Sequence, residues 1–325
     1  MIRVPVLEIG GTHVTAALVD TATGLPVPRS VVRRPVAAGA GATELLDSFA
    51  EAARHLAAPG GARWGVALPG PFDYAAGIGR YRGIGKFESL HGVDVGTELR
   101  ARLPRPSAVS FLNDADAFAV GEYHSGAAER RARAVCLTLG TGVGSSFLQD
   151  GRPVTDGPTV PPEGRAHRIT VDGLPLEEVV SRRAIRARYA RSAGLDARTE
   201  GPDVGALADL ARGGDPHAAA AITGCFTALG RALAPWCAAF GPDVMVVGGS
   251  MAASWDLIGP ALRSGLTAAG AAGPDARTTV SAMGLSPALR PDAALIGAAH
   301  WALGHPARAV TPPADAHRAH RADRP

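Results

Sequence analysis

The sequence predicts an α/β protein made of two related lobes with a cleft between them. Three observations carry this: strands and helices alternate along the first third of the chain, the opening strand–turn–strand pattern recurs 130 residues later, and three apolar strands end in glycine turns. A length of 325 residues is more than one compact core usually holds. Hydrophobic residues make up 46% of the chain and charged residues 19%, enough to build a sizeable core and to argue against wholesale disorder.

The elements follow in order. Val4 to Asp20 reads as an apolar run, a Gly10-Gly11-Thr12 break and a second apolar run, with a third strand expected near Val27 to Arg33. Residues 43 to 58 place Leu45, Leu46, Phe49, Ala53 and Leu56 on one helical face, and Pro59-Gly60-Gly61 stops that helix. Trp64 to Leu68 is a short buried strand, followed by a loop rich in glycine and proline. A helix around Val95 to Leu103 and a strand from Ala108 to Leu112 lead to Asn113-Asp114. Helices dominate later, near 176 to 193, 203 to 212 and 215 to 239, before a strand from Val244 to Val247 reaches Gly248-Gly249.

The repeat aligns LEIGGTHVTAALVD from Leu7 with LTLGTGVGSSFLQD from Leu137, pairing Gly10 with Gly140 and Asp20 with Asp150. A duplicated two-lobed fold places a cleft between its halves. The expected division is an N-terminal lobe over 1–112 and a C-terminal lobe over 113–304. The last helix, about 292–303, is expected to pack back on the first lobe, and 305–325 to form a disordered tail rich in Pro, Ala, Arg and His.

Composition removes several classes of function. The formal net charge is +3, from 33 basic against 30 acidic residues, and Arg308, Arg318, Arg321 and Arg324 against Asp315 and Asp323 put +2 of it in the tail. Direct nucleic-acid binding is therefore not expected. Cys136, Cys225 and Cys237 are widely spaced and form no C-x-x-C, which suits neither a disulfide framework nor a cysteine-rich zinc site. No apolar stretch is read as a membrane span and no export signal is seen at MIRVPVLEIGG, so a cytoplasmic protein is expected.

Gly10-Gly11-Thr12, Gly140-Thr141-Gly142 and Gly248-Gly249 end strands. Turns without Cβ atoms let backbone N–H groups approach anionic oxygens and can cradle phosphates; each taken alone could equally be a plain hairpin or strand-to-helix turn. Lys86, the only lysine, sits in a Gly-Ile-Gly-Lys segment that resembles a P-loop but has Arg80 in place of its first glycine and Phe87 in place of Ser or Thr. Asn113-Asp114 could cap a helix, or supply a general base with an adjacent orienting amide.

Five motifs in order, LEIGGTHVTAALVD, GVALPGPFD, FLNDADAFAVGE, LTLGTGVGS and VMVVGGS, resemble those of the ROK family of sugar kinases and sugar-responsive repressors. The resemblance implies a duplicated actin-like, RNase H-type fold whose lobes close on ATP and a sugar. It implies phosphate loops at Gly10, Gly11, Thr12 and at Gly140, Thr141, Gly142, and an adenosine-side turn at Gly248 and Gly249. It implies sugar contacts from Asn113 and Gly70, and Asp114 as the base that takes a proton from a primary hydroxyl, normally the 6-hydroxyl of a hexose. Magnesium is the implied metal, met through water by Glu8, where the family normally has Asp. A homodimer is the implied assembly.

The chain departs from the family pattern between Glu163 and Glu177. Family members carry a Glu-x-Gly-His element and a cysteine-rich zinc loop, whereas PPEGRAHRITVDGLPLEEVV has no cysteine, and no zinc is expected. Anchoring on Leu176-Glu177 matches Glu177 and His167 to sugar contacts; Glu163 stands four residues before His167 rather than three. Such a site suggests an acceptor other than plain glucose: an amino sugar, another hexose or a carbasugar-like cyclitol. A non-catalytic sugar sensor acting through a protein partner is the alternative from another class, since the first phosphate strand starts by Val4 and leaves no helix-turn-helix ahead of it.

Overall fold

The computed structural model describes residues 2–171, 173–195, 201–268 and 274–304; the expected tail lies outside these residues. Strands β1 (Arg3–Ile9), β2 (His13–Asp20), β3 (Leu25–Pro26) and β4 (Val32–Pro35) lead into helix α1 (Ala42–Arg54) and strand β5 (Arg63–Leu68). A small hairpin of β6 (Phe72–Asp73) and β7 (Ile78–Gly79) precedes α2 (Val95–Arg102), β8 (Ala108–Asn113) and α3 (Asp114–Ser125). The next stretch holds β9 (Arg133–Leu139), β10 (Val143–Gln149), β11 (Arg152–Pro153), the ribbon of β12 (Thr170–Val171) and β13 (Leu174–Pro175), and helices α4 (Leu176–Val180) and α5 (Arg182–Ser192). Helices α6 (Val204–Arg212) and α7 (Pro216–Phe240), strand β14 (Val244–Gly248), helices α8 (Trp255–Ala268) and α9 (Pro274–Ala282), strand β15 (Gly284–Pro287) and helix α10 (Ala293–Gly304) complete it.

The two sheets share one topology. The first runs β3-β2-β1-β5-β8, with β4 also on β2, and the second runs β11-β10-β9-β14-β15. In each, an antiparallel hairpin is followed by two strands parallel to its first member. The parallel strands are apolar on both faces, as sheets covered by helices require. Strand β9 lies 130 residues after β1 at both ends, so the weak sequence repeat is a repeat of structure. The hairpins differ by one residue: Ile9 pairs with Val14 across Gly10 to His13, while Leu139 pairs with Val143 across Gly140 to Gly142.

Three readings of the sequence need correction. The strand expected at Val27 to Arg33 is split, because Pro28 and a left-handed Arg29 turn the chain and Val27 N–H already bonds Leu18 O at 2.7 Å. The helix expected over 176 to 193 breaks at Ser181, whose hydroxyl caps α5 by accepting from Ala184 N–H at 3.3 Å. Helix α7 is long and apolar enough to cross a membrane, contrary to the sequence reading, but half of its most apolar window is buried here. Its Ile222, Phe226, Leu229 and Leu233 are part of the second lobe's core with Leu137, Phe147 and Met245.

Helix α10 returns to the first sheet. Leu295, Ile296, Ala298, Ala299 and Ala302 pack with Val4, Val6, Ala17, Val19 and Ala67. It meets α3 backbone to backbone: a Cβ on Gly297 would fall 1.8 Å from Ala117 O, and one on Gly121 would fall 1.9 Å from Ala293 O. Alanine at either position forces the helices apart. We expect Gly297→Ala to cost about 3 kcal/mol of unfolding free energy in urea titration, and Gly39→Ala, whose new methyl meets nothing within 4 Å, to change it by less than about 0.5 kcal/mol.

Candidate active site

Parallel strands carry their carboxyl ends to one edge of a sheet, the usual place for ligands in α/β folds. Strand β1 brings Glu8 and the Gly10 turn there, β5 brings Leu68 and then Gly70, and β8 brings Asn113 followed by Asp114 at the first turn of α3. The second sheet offers its own carboxyl ends: β9 leads to Gly140 and β14 to Gly248 and Gly249. A cavity of about 600 Å³ is lined by Glu8, Asp114, Thr138, Gly248, Gly249 and Arg290, so residues from both sheets share one space.

Asn113 is buried and held at both ends of its amide. Its Oδ1 accepts from Ala115 N–H at 3.0 Å, capping α3, and its Nδ2 donates to the Tyr74 hydroxyl at 3.0 Å. Tyr74 in turn donates to Leu68 O at 3.2 Å. Gly70 is beside the same hydroxyl, its missing Cβ leaving a gap of 3.4 Å, and precedes a cis bond to Pro71. Burial raises the Tyr74 pKa, so the phenol stays protonated.

Asp114 is half-buried, and burial raises its pKa above the usual aspartate range. The Ala115 N–H, Lys86 and Arg165 oppose that shift, and Asp116 adds to it. Arg165 is fixed by a two-pronged pair with Asp116, at 3.0 and 2.7 Å, and donates to Ser145 O at 3.0 Å. Glu8 has no hydrogen-bond or ion-pair partner among the described residues. Its carboxyl is pushed up to about 7, first by burial and next by Asp114, with Arg33 opposing and Asp292 adding.

Two half-buried carboxylates on one cavity, one of which raises the pKa of the other, suit an added cation. The oxygen donors fit a hydrated divalent ion, and Glu8 is the group on β1 that would meet it. The glycine turns are close to other groups. A Cβ on Gly249 would fall 2.3 Å from Leu139 O, and one on Gly142 would fall 2.4 Å from Glu177 Oε1. Gly10 N–H bonds His13 O at 2.8 Å and Gly140 N–H bonds Gly142 O at 3.1 Å, which closes both hairpins.

Of the residues matched to sugar contacts, Glu177 lies against the second glycine turn and His167 is close enough to Glu177 to feel its charge. The His167 pKa falls, first through burial, with Glu177 opposing and Arg168 and Arg165 reinforcing. Glu163, whose charge also opposes the His167 shift, pairs with Arg168 at 2.9 Å and lines a second cavity of about 270 Å³ with Asp156 and Trp236. The sequence reading passed over Tyr74, Asp116, Arg165 and Arg290. Asp116 carried a signal, since it is two residues beyond Asp114 in the first turn of the same helix.

The family model that matches this chain is described as ROK family and covers residues 5–305. The chain belongs to the ROK family. Among its relatives, a glucokinase from Thermotoga maritima is 32% identical over 61% of this chain and 67% of its own length. An N-acetyl-D-glucosamine kinase from Salmonella paratyphi A is 27% identical over 52% of this chain, and the match spans about half, 54%, of that protein. The solved structure of a ROK family glucokinase from Streptomyces griseus, in complex with glucose and AMPPNP, superposes with a TM-score of 0.69 at 22% identity and covers 92% of this chain and 98% of its own. That likeness shows the two-lobed, actin-like ROK fold.

Because folding keeps a proton on Glu8 up to about pH 7 that the unfolded chain releases near 4.5, stability falls as pH rises through that window. In metal-free buffer Glu8→Gln should remove this loss and be up to about 3 kcal/mol more stable than the parent above pH 7. Urea titrations across that range check it. Magnesium should stabilise the parent more than the variant, and a variant no more stable than the parent above pH 7 would contradict the assigned environment.

Proposed function

We propose that this ROK protein is an ATP-dependent sugar kinase that phosphorylates a primary hydroxyl of a hexose-type substrate, with Asp114 as general base. The observation that supports it most is Asp114 itself: a carboxylate of raised pKa at the end of β8, in a cavity shared with Glu8 and the Gly248-Gly249 turn. The sugar and nucleotide named for the Streptomyces griseus structure, and the kinase names of both relatives, agree with that reading.

In this reading the lobes, 1–112 and 113–304, close on the two substrates. Asn113, oriented by Tyr74, hydrogen-bonds the sugar beside the reacting hydroxyl, and Gly70 leaves room for it. Glu177 and His167 complete the sugar side, and Glu163 joins them only if its turn moves from Arg168. Asp114 accepts the hydroxyl proton as the oxygen attacks the terminal phosphorus of ATP. Its raised pKa makes it a stronger base than an exposed aspartate. Gly10 to Thr12 and Gly140 to Gly142 face the phosphates, and Gly248 and Gly249 admit the adenosine without side-chain obstruction. Magnesium, when bound near Glu8, supplies charge neutralisation on the phosphates. Closure excludes water, which limits hydrolysis of ATP.

A coupled ADP assay over glucose, mannose, N-acetylglucosamine, other amino sugars and cyclitols tests this. We expect ADP release with at least one of them and a fall of about 10²–10⁴ in kcat for Asp114→Asn. Activity should be lost as pH falls, with the acid limb of kcat/KM above the ordinary aspartate range, because protonation removes the base. No turnover across the panel, with sugar binding retained, would favour the sensor reading instead.

A further inference from the structure

Lys86 stands out as a cation that no carboxylate among the described residues holds in an ion pair. It is the only lysine in a chain whose other basic side chains are all arginine or histidine. Its side chain is half-buried and makes no hydrogen bond or ion pair among the described residues. Burying an ammonium even in part without a hydrogen-bonded partner is unfavourable, so the position favours an added anion within reach of its side chain.

The loop that carries it is rigidly built. The Glu88 carboxylate accepts from the N–H groups of Gly83, Ile84 and Gly85 at 3.0, 2.7 and 2.9 Å, and these bonds lower its pKa. On the other side Phe87 adopts a left-handed conformation, donates its N–H to Ala38 O at 2.8 Å, and buries its ring against Phe49 and Tyr81. The Lys86 backbone is therefore fixed on both sides.

That backbone aims the side chain at the reacting centre. Lys86 Cδ would lie 3.8 Å from a Cβ on Gly11, so its stem passes over the first glycine turn. Its charge is felt at Asp114, whose raised pKa it opposes. Gly11 and Asp114 mark the two ends of the path that a phosphoryl group takes in the proposed reaction. Taken on that kinase reading, we propose that Lys86 contacts the terminal phosphoryl group of the donor and neutralises it during transfer to the acceptor hydroxyl.

In the step itself the acceptor oxygen forms a bond to the terminal phosphorus, and the bond from that phosphorus to the bridging oxygen breaks. Its electron pair leaves with ADP, and the hydroxyl proton goes to Asp114. Lys86 stays protonated throughout and exchanges no proton. A lysine suits the task because its ammonium is a compact point charge that can follow the phosphoryl group, whereas the arginine fork is planar and wider.

The test compares Lys86→Met and Lys86→Arg with the parent. We expect Lys86→Met to lower kcat by about 10²–10³ while the acceptor KM changes by less than about 3-fold, and Lys86→Arg to regain at least about 10-fold of the loss. Calorimetry gives a readout that needs no turnover: Lys86→Met should weaken AMP-PNP binding by at least about 10-fold and ADP binding by less than about 2-fold, since only the former carries a terminal phosphoryl group. Equal weakening of both nucleotides, or a kcat for Lys86→Met within about 3-fold of the parent, would overturn the assignment. If the parent turns over no acceptor, the kinase reading fails, and the AMP-PNP against ADP comparison still decides whether Lys86 meets a terminal phosphoryl group.

Discussion

Helix α3 can occupy only one place, because Gly121 and Gly297 let its backbone touch that of α10 with no side chain between them. Helix α10 is itself seated on the first sheet through Ile296 and Ala299. The other side of α3 packs against the second sheet, where Phe118, Ala119 and Val120 join Cys136, Leu148 and Val246 in one cluster. One helix is thus wedged between two sheets, and its first residue is Asp114. A small residue at a helix crossing is usually a matter of packing; here it also sets the position of the carboxylate on which the proposed chemistry depends.

The electrostatics of the site follow from that placement. A carboxylate at the start of a helix ordinarily has a lowered pKa, because the helix N-terminus and its free N–H groups favour the anion. Asp114 does receive the Ala115 N–H at 2.9 Å, yet its pKa is raised, so burial outweighs the local stabilisation. Lys86 and Arg165 hold the shift in check from two directions. Arg165 is largely committed to Asp116, whereas Lys86 makes no hydrogen bond or ion pair among the described residues, which is why the two cations are not equivalent. Glu8 has no hydrogen-bond or ion-pair partner among the described residues, and Asp114 is the neighbouring anion that adds to its raised pKa.

What was legible in the sequence was whatever depends on neighbours along the chain. Apolar runs ending in glycine marked β1, β2, β9, β10 and β14, and the 130-residue offset survives in the strand boundaries. Asn113-Asp114 could be placed at a strand end because the run before it is apolar apart from Ser110. The one-residue difference between the two hairpins was not legible, since it depends on how Gly10 and Gly140 close their turns. Nor were Tyr74 and Arg165, which reach their partners 39 and 49 residues away in sequence. Lys86 was visible but misleading, because its Gly-Ile-Gly-Lys setting resembles a different phosphate loop.

The segment from Pro161 to Ile169 shows how a polar contact can brace a site. In the resemblance-based pattern this region precedes a metal loop; here the buried Ser145 on β10 holds it. Ser145 Oγ donates to Gly164 O at 2.9 Å and accepts from Ala166 N–H at 2.6 Å, so one hydroxyl ties down both sides of Arg165. Arg165 then reaches back to Asp116 on α3 and to Ser145 O. Breaking a buried pair of this kind leaves an uncompensated charge and is far more costly than the pair's net stabilisation. The segment that carries His167 is therefore referenced to the same helix as Asp114, which fixes the two groups that the proposed reaction assigns to sugar and base relative to one another.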